Sequence, residues 1–111
     1  MGEYRVIEVP KFVASELASV LDDIRAAAKE DNPDIADTDI VLEQRETRDM
    51  AGGFGGEFML YLGGLVIANL TEEWVKKVLW PRIEPKIKKY SREVFDLLER
   101  AFKSRRTTRS E

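Results

Sequence analysis

The side chains able to do chemistry in this 111-residue chain are almost all carboxylates and amines, because it contains no histidine and no cysteine. Histidine is the usual general base near neutral pH, and both residues are common zinc ligands. Their absence excludes histidine-dependent triads and thiol nucleophiles. The carboxylates of Glu43, Glu46 and Glu57 remain, but scattered acidic residues typically lie on the surface. We therefore predict a non-enzymatic protein without catalytic residues, cofactor, metal or small-molecule substrate.

Two segments have the composition of ion-binding loops but not the spacing. Segment 30–39 is rich in aspartate, yet it lacks the glycine and the ligand order of a calcium-binding loop. The glycine-rich turn 50–56 could present backbone N–H groups to a phosphate. It has neither the lysine of a P-loop nor the glycine order of a dinucleotide site, and Glu57 would repel the phosphate. The sequence therefore predicts neither calcium nor phosphate binding.

The elements that would position these residues begin in a strand–helix–strand order. Residues 3–9 predict a strand that stops at Pro10, and apolar residues recur at helical spacing over 13–29. Asn32 and Pro33 end this helix, and residues 40–48 predict a second strand. The order indicates a small βαβ unit in a mixed α/β domain, and parallel pairing would require a right-handed crossover. Because two strands alone are marginal, they must pack on helices or pair with another copy.

The apolar segment 58–70 is the most unusual stretch of the chain. We predict that it forms a buried helix, and a hairpin around the Gly63-Gly64 pair is the alternative. The uncharged run 58–71 would span only about 21 Å as a helix, against a hydrocarbon core of about 30 Å. A strip of small residues would allow close helix packing. The predicted helix-packing interface consists of Gly56, Gly63, Gly64 and Ala68.

The C-terminal part of the chain predicts two further helices. Thr71 is the predicted N-cap of a helix that runs to Trp80, with Pro81 and Pro85 breaking or kinking it. Apolar residues at helical spacing over 87–102 predict a last amphipathic helix. We expect one domain over 1–102 and a basic mobile tail over 103–111.

Charge divides the chain into two unequal parts. Residues 1–75 carry a net charge of −10 and residues 76–111 a net charge of +7. This division favours a protein partner or head-to-tail docking between copies, or an anionic membrane surface. Nucleic acid is disfavoured because the chain is acidic overall. The alternative is that the two parts neutralise each other within one fold. The predicted basic and aromatic partner surface consists of Trp74, Lys76, Lys77, Trp80, Arg82, Lys86, Lys88 and Lys89.

The succession of strand, helix, strand, glycine-rich turn (MAGGFGG, 50–56), apolar helix and basic end resembles the effector-associated constant components over residues 4–80. These are small proteins found beside NTPase-centred bacterial conflict systems. The resemblance implies an adaptor or coupling role in a bacterial cytoplasm. We therefore expect an adaptor or self-assembling interaction module that forms homo-oligomers or binds a protein partner. The alternative is a membrane-associated, oligomeric effector that inserts segment 58–70 into lipid.

Overall fold

The alternating N-terminal pattern and the helical period after it form β1 (Arg5–Val9) and α1 (Lys11–Asp31) in the computed structural model, which describes residues 4–45 and 57–103. Pro10 separates the two elements because it has no N–H to continue a strand. Its carbonyl accepts the first helical hydrogen bonds, from the N–H groups of Val13 (3.0 Å) and Ala14 (2.9 Å). The predicted first strand and first helix are confirmed, with the helix beginning two residues earlier than expected.

A third strand separates the two predicted ones. After a 3₁₀ turn (Asp37–Asp39), β2 (Ile40–Arg45) and then β3 (Glu57–Leu62) complete a sheet of order β1-β3-β2, in which β3 is antiparallel to both neighbours. The mixed α/β class is confirmed. β1 and β2 run parallel to each other, but β3 lies between them, so the predicted βαβ unit is split and its strands do not pair directly.

The apolar segment 58–70 is neither the predicted helix nor the alternative hairpin. Its first part belongs to β3, and its second part forms the short helix α2 (Gly64–Asn69). The strand β3 carries apolar residues on both faces, which makes its sequence indistinguishable from that of a buried helix. Gly63 joins the two parts, and its N–H donates to the Asp39 carbonyl at 2.8 Å. A Cβ atom at this position would collide with the Asp39 carboxylate, which would have to move to accommodate it.

The helix after α2 passes through Pro81 without the predicted break. Its parts are α3 (Glu72–Trp74), a π-helical segment (Val75–Leu79) and α4 (Trp80–Ile83), and the Thr71 hydroxyl caps it as predicted. A π turn widens the helix by one residue, which makes room for a proline ring that would clash in a regular α-helix. The helix ends one turn later, in a 3₁₀ turn (Glu84–Lys86) that contains Pro85.

The last helix, α5 (Ser91–Ala101), is shorter than predicted. Tyr90 precedes it with a left-handed backbone (φ 57°, ψ 34°), and this conformation cannot be part of a right-handed helix. Residues 87–90 therefore form a loop. Of the predicted basic tail, only Lys103 falls within the described residues.

The helices cover one face of the sheet. Alternate strand residues face the helices, and together they form one core. The opposite face, here called the outer face, carries no described helix. The core residues of the strands are Val9, Ile40, Leu60 and Leu62, and the helical ones include Leu17, Val20, Ile24, Val66, Leu79, Ile83, Leu98 and Phe102. The outer face consists of Val6, Glu8, Val41, Glu43, Met59 and Tyr61.

Candidate functional site

The two tryptophans of the predicted partner surface face the core. Trp74 is only 8% exposed and its ring lies 5.5 Å from that of Phe102, centroid to centroid. Trp80 is half-buried, and its ring lies 5.0 Å from Phe95 in an edge-to-face contact. Such contacts stabilise a core rather than present aromatic surface to a partner. The burial of Trp74 removes its ring from the predicted partner surface, and the inclusion of half-buried Trp80 stays a prediction.

Four basic residues of the predicted surface are paired with carboxylates of the same chain. Lys86 reaches Asp23 and Arg82 reaches Glu30, each at 2.9 Å, and both carboxylates belong to α1. For Lys86 and Arg82, the alternative prediction therefore applies: the acidic and basic parts of the chain neutralise each other within the fold. The pairs are partly exposed, so each stabilises the fold by about 0–1 kcal/mol. The other two pairs, both at 3.3 Å, are Lys76 with Glu99 and Lys77 with Glu73.

The last two lysines of the predicted surface, Lys88 and Lys89, differ from its other four basic residues. The backbone N–H groups of Lys88 and Lys89 donate to the Glu16 carboxylate, each at 3.2 Å, while their side chains are exposed and form no ion pair within the described residues. Tyr90 follows, with its ring 4.8 Å from that of Phe12. A left-handed backbone costs a non-glycine residue about 1–2 kcal/mol. Contacts with α1 therefore hold this loop in an unfavourable conformation.

The small residues proposed for helix packing do not form a strip on one helix. Gly63 is the N-cap of α2 and Gly64 its first residue, so only Gly64 and the exposed Ala68 share a helical face. Gly56 lies outside the described residues. Because α2 has only six residues, it cannot offer the long contact that the strip would require.

The direction of the backbone groups in β1 follows from one hydrogen bond at the far side of the sheet. The N–H of Gly63 points toward β2, where it meets the Asp39 carbonyl. Backbone groups alternate in direction along a strand, so Met59 and Tyr61 also bond to β2, and the residues between them bond to β1. In β1, the N–H and C=O of Val6 and Glu8 consequently point away from the sheet, toward its free edge.

This free edge borders an open groove. The outward backbone groups of Val6 and Glu8 have no hydrogen-bond partner among residues 4–45 and 57–103. A groove of about 450 Å³ runs beside them, and a smaller one of about 170 Å³ continues it past Pro10 toward Phe12. Both grooves share Pro10 and Arg100 in their lining. An unpaired edge of this kind is a template for another strand.

Helix α5 forms the other wall of the groove. The Arg5 guanidinium donates to the carbonyls of Ala101 (2.6 Å) and Lys103 (2.8 Å), which fixes the C-terminal end of α5 beside the start of β1. A cation at this position also opposes the negative end of the helix dipole. The groove-lining charges of α5 are ordered: acidic residues lie in its N-terminal part and a basic residue in its C-terminal part. They are Glu93, Asp96 and Arg100.

The opposite edge of the sheet is partly protected. The same alternation directs the C=O of Ile40 toward the free edge of β2, and the Arg25 guanidinium donates to this carbonyl at 2.9 Å. Exposed Glu43 and Gln44 follow along β2. Charged residues and side-chain caps are the usual means of preventing unwanted pairing at an edge. At the β2 edge one outward carbonyl is therefore occupied by a side chain, whereas none of the outward groups of Val6 and Glu8 is occupied within the described residues.

The sequence identified β1 but gave no indication that it is an edge strand. That property depends on β3, which the sequence pattern assigned to a helix. Pro10 and the short length of the strand are compatible with an edge, yet they occur in other positions too.

Comparison with protein-family models, with curated proteins and with solved structures gave no match. Within the described residues, no three carboxylates converge where they could hold a metal ion. No helix in these ranges is long and apolar enough to cross a membrane.

Proposed function

We propose that this protein is a non-enzymatic, self-associating interaction module in which the β1 edges of two copies pair with each other. The observation that carries the proposal is the open β1 edge, with its groove and its outward-directed backbone groups at Val6 and Glu8. Pairing would extend the sheet from three strands to six. Strand addition at an exposed edge is a common recognition mode, because the main chain supplies affinity and side chains supply specificity.

A register centred on Ile7 satisfies both the backbone and the two faces of the sheet. Residues opposite each other in antiparallel strands share a face, so a continuous sheet requires that outward-bonding residues meet outward-bonding residues. Centring the pair on Ile7 places Val6 opposite Glu8 of the second copy, and the reverse, with about four backbone hydrogen bonds. A register shifted by two toward the C-terminus would place the two Glu8 carboxylates opposite each other, which is unfavourable.

The charges of α5 support the same two-fold arrangement. A two-fold axis across the β1 edge makes the two copies of α5 antiparallel along the shared groove. The acidic part of one helix then faces the basic part of the other, so Arg100 of each copy opposes Asp96 and Glu93 of its neighbour. A two-fold interface must be self-complementary, and this order of charges meets that condition.

The interface is small, so we expect a weak dimer. Hydrogen bonds contribute about 1 kcal/mol each and exposed ion pairs less than that, while association itself costs at least about 4 kcal/mol. Burial of the apolar groove wall supplies the remainder. A dissociation constant on the order of tens of micromolar corresponds to such a balance.

Charge reversal in α5 tests the proposal. Light scattering and sedimentation over about 5–500 µM should show a 12.7 kDa chain that forms a dimer as its concentration rises. Asp96→Lys and Arg100→Glu should each weaken the dimer about tenfold, and the double variant should restore it, because the opposed charges are then exchanged. Asp31→Lys, an exposed change at the end of α1, is the matched control and should leave the dimer intact.

A monomer at all of these concentrations, or a double variant as weak as the two single ones, would refute the pairing. The membrane alternative predicts instead that segment 58–70 inserts into lipid. Leu60, Leu62, Val66 and Leu70 of that segment are at most 1% exposed, so insertion would require the core to open. This burial supports the interaction module. The adaptor role that the resemblance implies, in a bacterial cytoplasm, stays a prediction.

A further inference from the structure

A second surface of the protein combines exposed aromatic rings with unpaired positive charge. Phe12 and Tyr90 are 46% and 45% exposed although their rings pack edge to face. We call these two residues the aromatic knob. Glycine or asparagine would adopt the left-handed backbone of Tyr90 more easily, so the local conformation does not explain why an aromatic residue occupies this position. The exposed ring requires a reason beyond the fold.

The residues adjacent to the knob in the sequence are basic. Lys88 and Lys89 precede Tyr90, and Glu16 holds both of their backbone N–H groups, so the loop is fixed against α1. In contrast to the four basic residues paired within the fold, those around the knob form no ion pair among the described residues. They are Lys11, Lys88, Lys89 and Arg92.

The outer face of the sheet has the complementary character. Val6 and Val41 both lie opposite Tyr61, so the three side chains form an apolar row across the three strands. The next row places Glu8 and Glu43 on either side of Met59. The apolar row extends over two strand spacings, about 10 Å, which matches the size of a pair of aromatic rings. An apolar row lined by carboxylates fits the Tyr90 side of the knob, where Lys88 and Lys89 lie, whereas Glu93 and Asp96 lie on its Phe12 side.

We propose that the aromatic knob of one copy docks on the outer face of the sheet of another copy. The knob belongs to the helical layer, and the outer face lies on the opposite side of the sheet, so the two surfaces cannot meet within one molecule. Repetition of a contact between two different surfaces produces a ring or an open chain of copies. Val6 and Glu8 take part in both contacts, through their side chains here and through their backbone groups at the β1 edge, and Phe12 also lines the smaller groove. The contact would connect dimers, or monomers if the edges did not pair.

Charge reversal on each side of the contact tests this proposal in the full chain. Wild-type protein at about 0.1–1 mM should reach masses above that of a dimer, and Lys88→Glu with Lys89→Glu should raise the required concentration at least tenfold. Glu43→Lys reverses a charge on the outer face and should have a similar effect. It should leave the edge pairing intact, because β2 takes no part in that pairing. Lys76→Glu with Lys77→Glu changes the net charge by the same amount away from the knob, and it should assemble like wild type.

Mixing the two reversed variants provides the decisive comparison. The reversed knob of one variant meets the reversed face of the other, so labelled Glu43→Lys protein should sediment faster after the Lys88→Glu/Lys89→Glu protein is added than it does alone. Tyr90→Gly removes one ring while relieving its backbone, so this variant should stay folded in circular dichroism and lose the larger assemblies.

Three results would overturn the contact: a wild-type mass that never exceeds a dimer, no recovery on mixing, or assembly by Tyr90→Gly at wild-type concentrations. The first of these, together with lysine-dependent flotation on phosphatidylserine vesicles, would assign the knob to lipid instead. The two interfaces are distinguishable by size. If only the edge pairing is lost, the assemblies differ in mass by one chain. If only the knob contact is lost, the largest assembly is a dimer.

Discussion

The two edges of the sheet are chemically different, although both strands are short and run in the same direction. At the β2 edge, Arg25 bonds the outward carbonyl of Ile40, and the strand continues into exposed polar residues. At the β1 edge, the outward groups of Val6 and Glu8 face an open groove. The Arg25 side chain from α1 occupies one outward carbonyl of the β2 edge, while α5 borders an open groove beside the β1 edge. The difference between the edges therefore arises from the helices and not from the strands.

The largest expected effect is the loss of stability when proline replaces a β1 residue whose N–H points toward β3. Ile7 bonds to β3, so Ile7→Pro should remove a ladder hydrogen bond, leave its partner unsatisfied and destabilise the protein by about 1–3 kcal/mol. Urea unfolding monitored by circular dichroism measures this loss. If Ile7→Pro retained wild-type stability, the alternation that directs Val6 and Glu8 outward would be wrong.

The next effect compares proline at the two edges. Glu8→Pro removes an outward N–H, so the fold should remain while dimerisation weakens at least tenfold. Gln44→Pro is the matched change, because its N–H points outward from β2 and the residue is also exposed. Sedimentation of both variants should show dimer loss only for the first. Equal losses would mean that the two edges do not differ in function.

A smaller effect should follow from opening the protected edge. Arg25→Met keeps the length of the side chain but removes the donor to Ile40, which should destabilise the fold by about 1 kcal/mol. Thermal unfolding of this variant beside Lys11→Met, an exposed change on the same helix, measures the difference. If the two variants unfolded at the same temperature, the Arg25 contact would contribute nothing to the β2 edge.

The smallest effect concerns the turn that leads into β2. Lys29 forms a hydrogen bond with Asp37 and holds the pKa of that carboxyl below its ordinary value of 3.8. Because the folded pKa is lowered, the stabilisation is present above about pH 4 and is lost as the pH falls through the folded pKa. Asp37→Asn should therefore be slightly less stable than wild type at pH 7 and equal to it near pH 2. Urea titrations at both pH values check this.

Local patterns in the sequence predict β1, α1 and the Thr71 cap, because alternation, helical period and capping act within a few residues. They do not predict β3, since a strand with apolar residues on both faces has the same apolar composition as a core helix. The hydrogen bond from the Gly63 N–H to the Asp39 carbonyl, which lies at the end of β3, connects residues far apart in the chain. Similarly, the sequence groups all the basic residues of 76–89 together. Only the fold separates Lys86, paired with Asp23, from Lys88 and Lys89.

The most direct test of the central claim is amide hydrogen exchange of the wild-type protein, followed by nuclear magnetic resonance at about 10 µM and about 500 µM. Pairing of the β1 edges should slow exchange at the amides of Val6 and Glu8 at the higher concentration, by about tenfold or more. The amides of Leu42 and Gln44, which point outward from β2, should be unaffected. Exchange at Val6 and Glu8 that is independent of concentration would contradict the account.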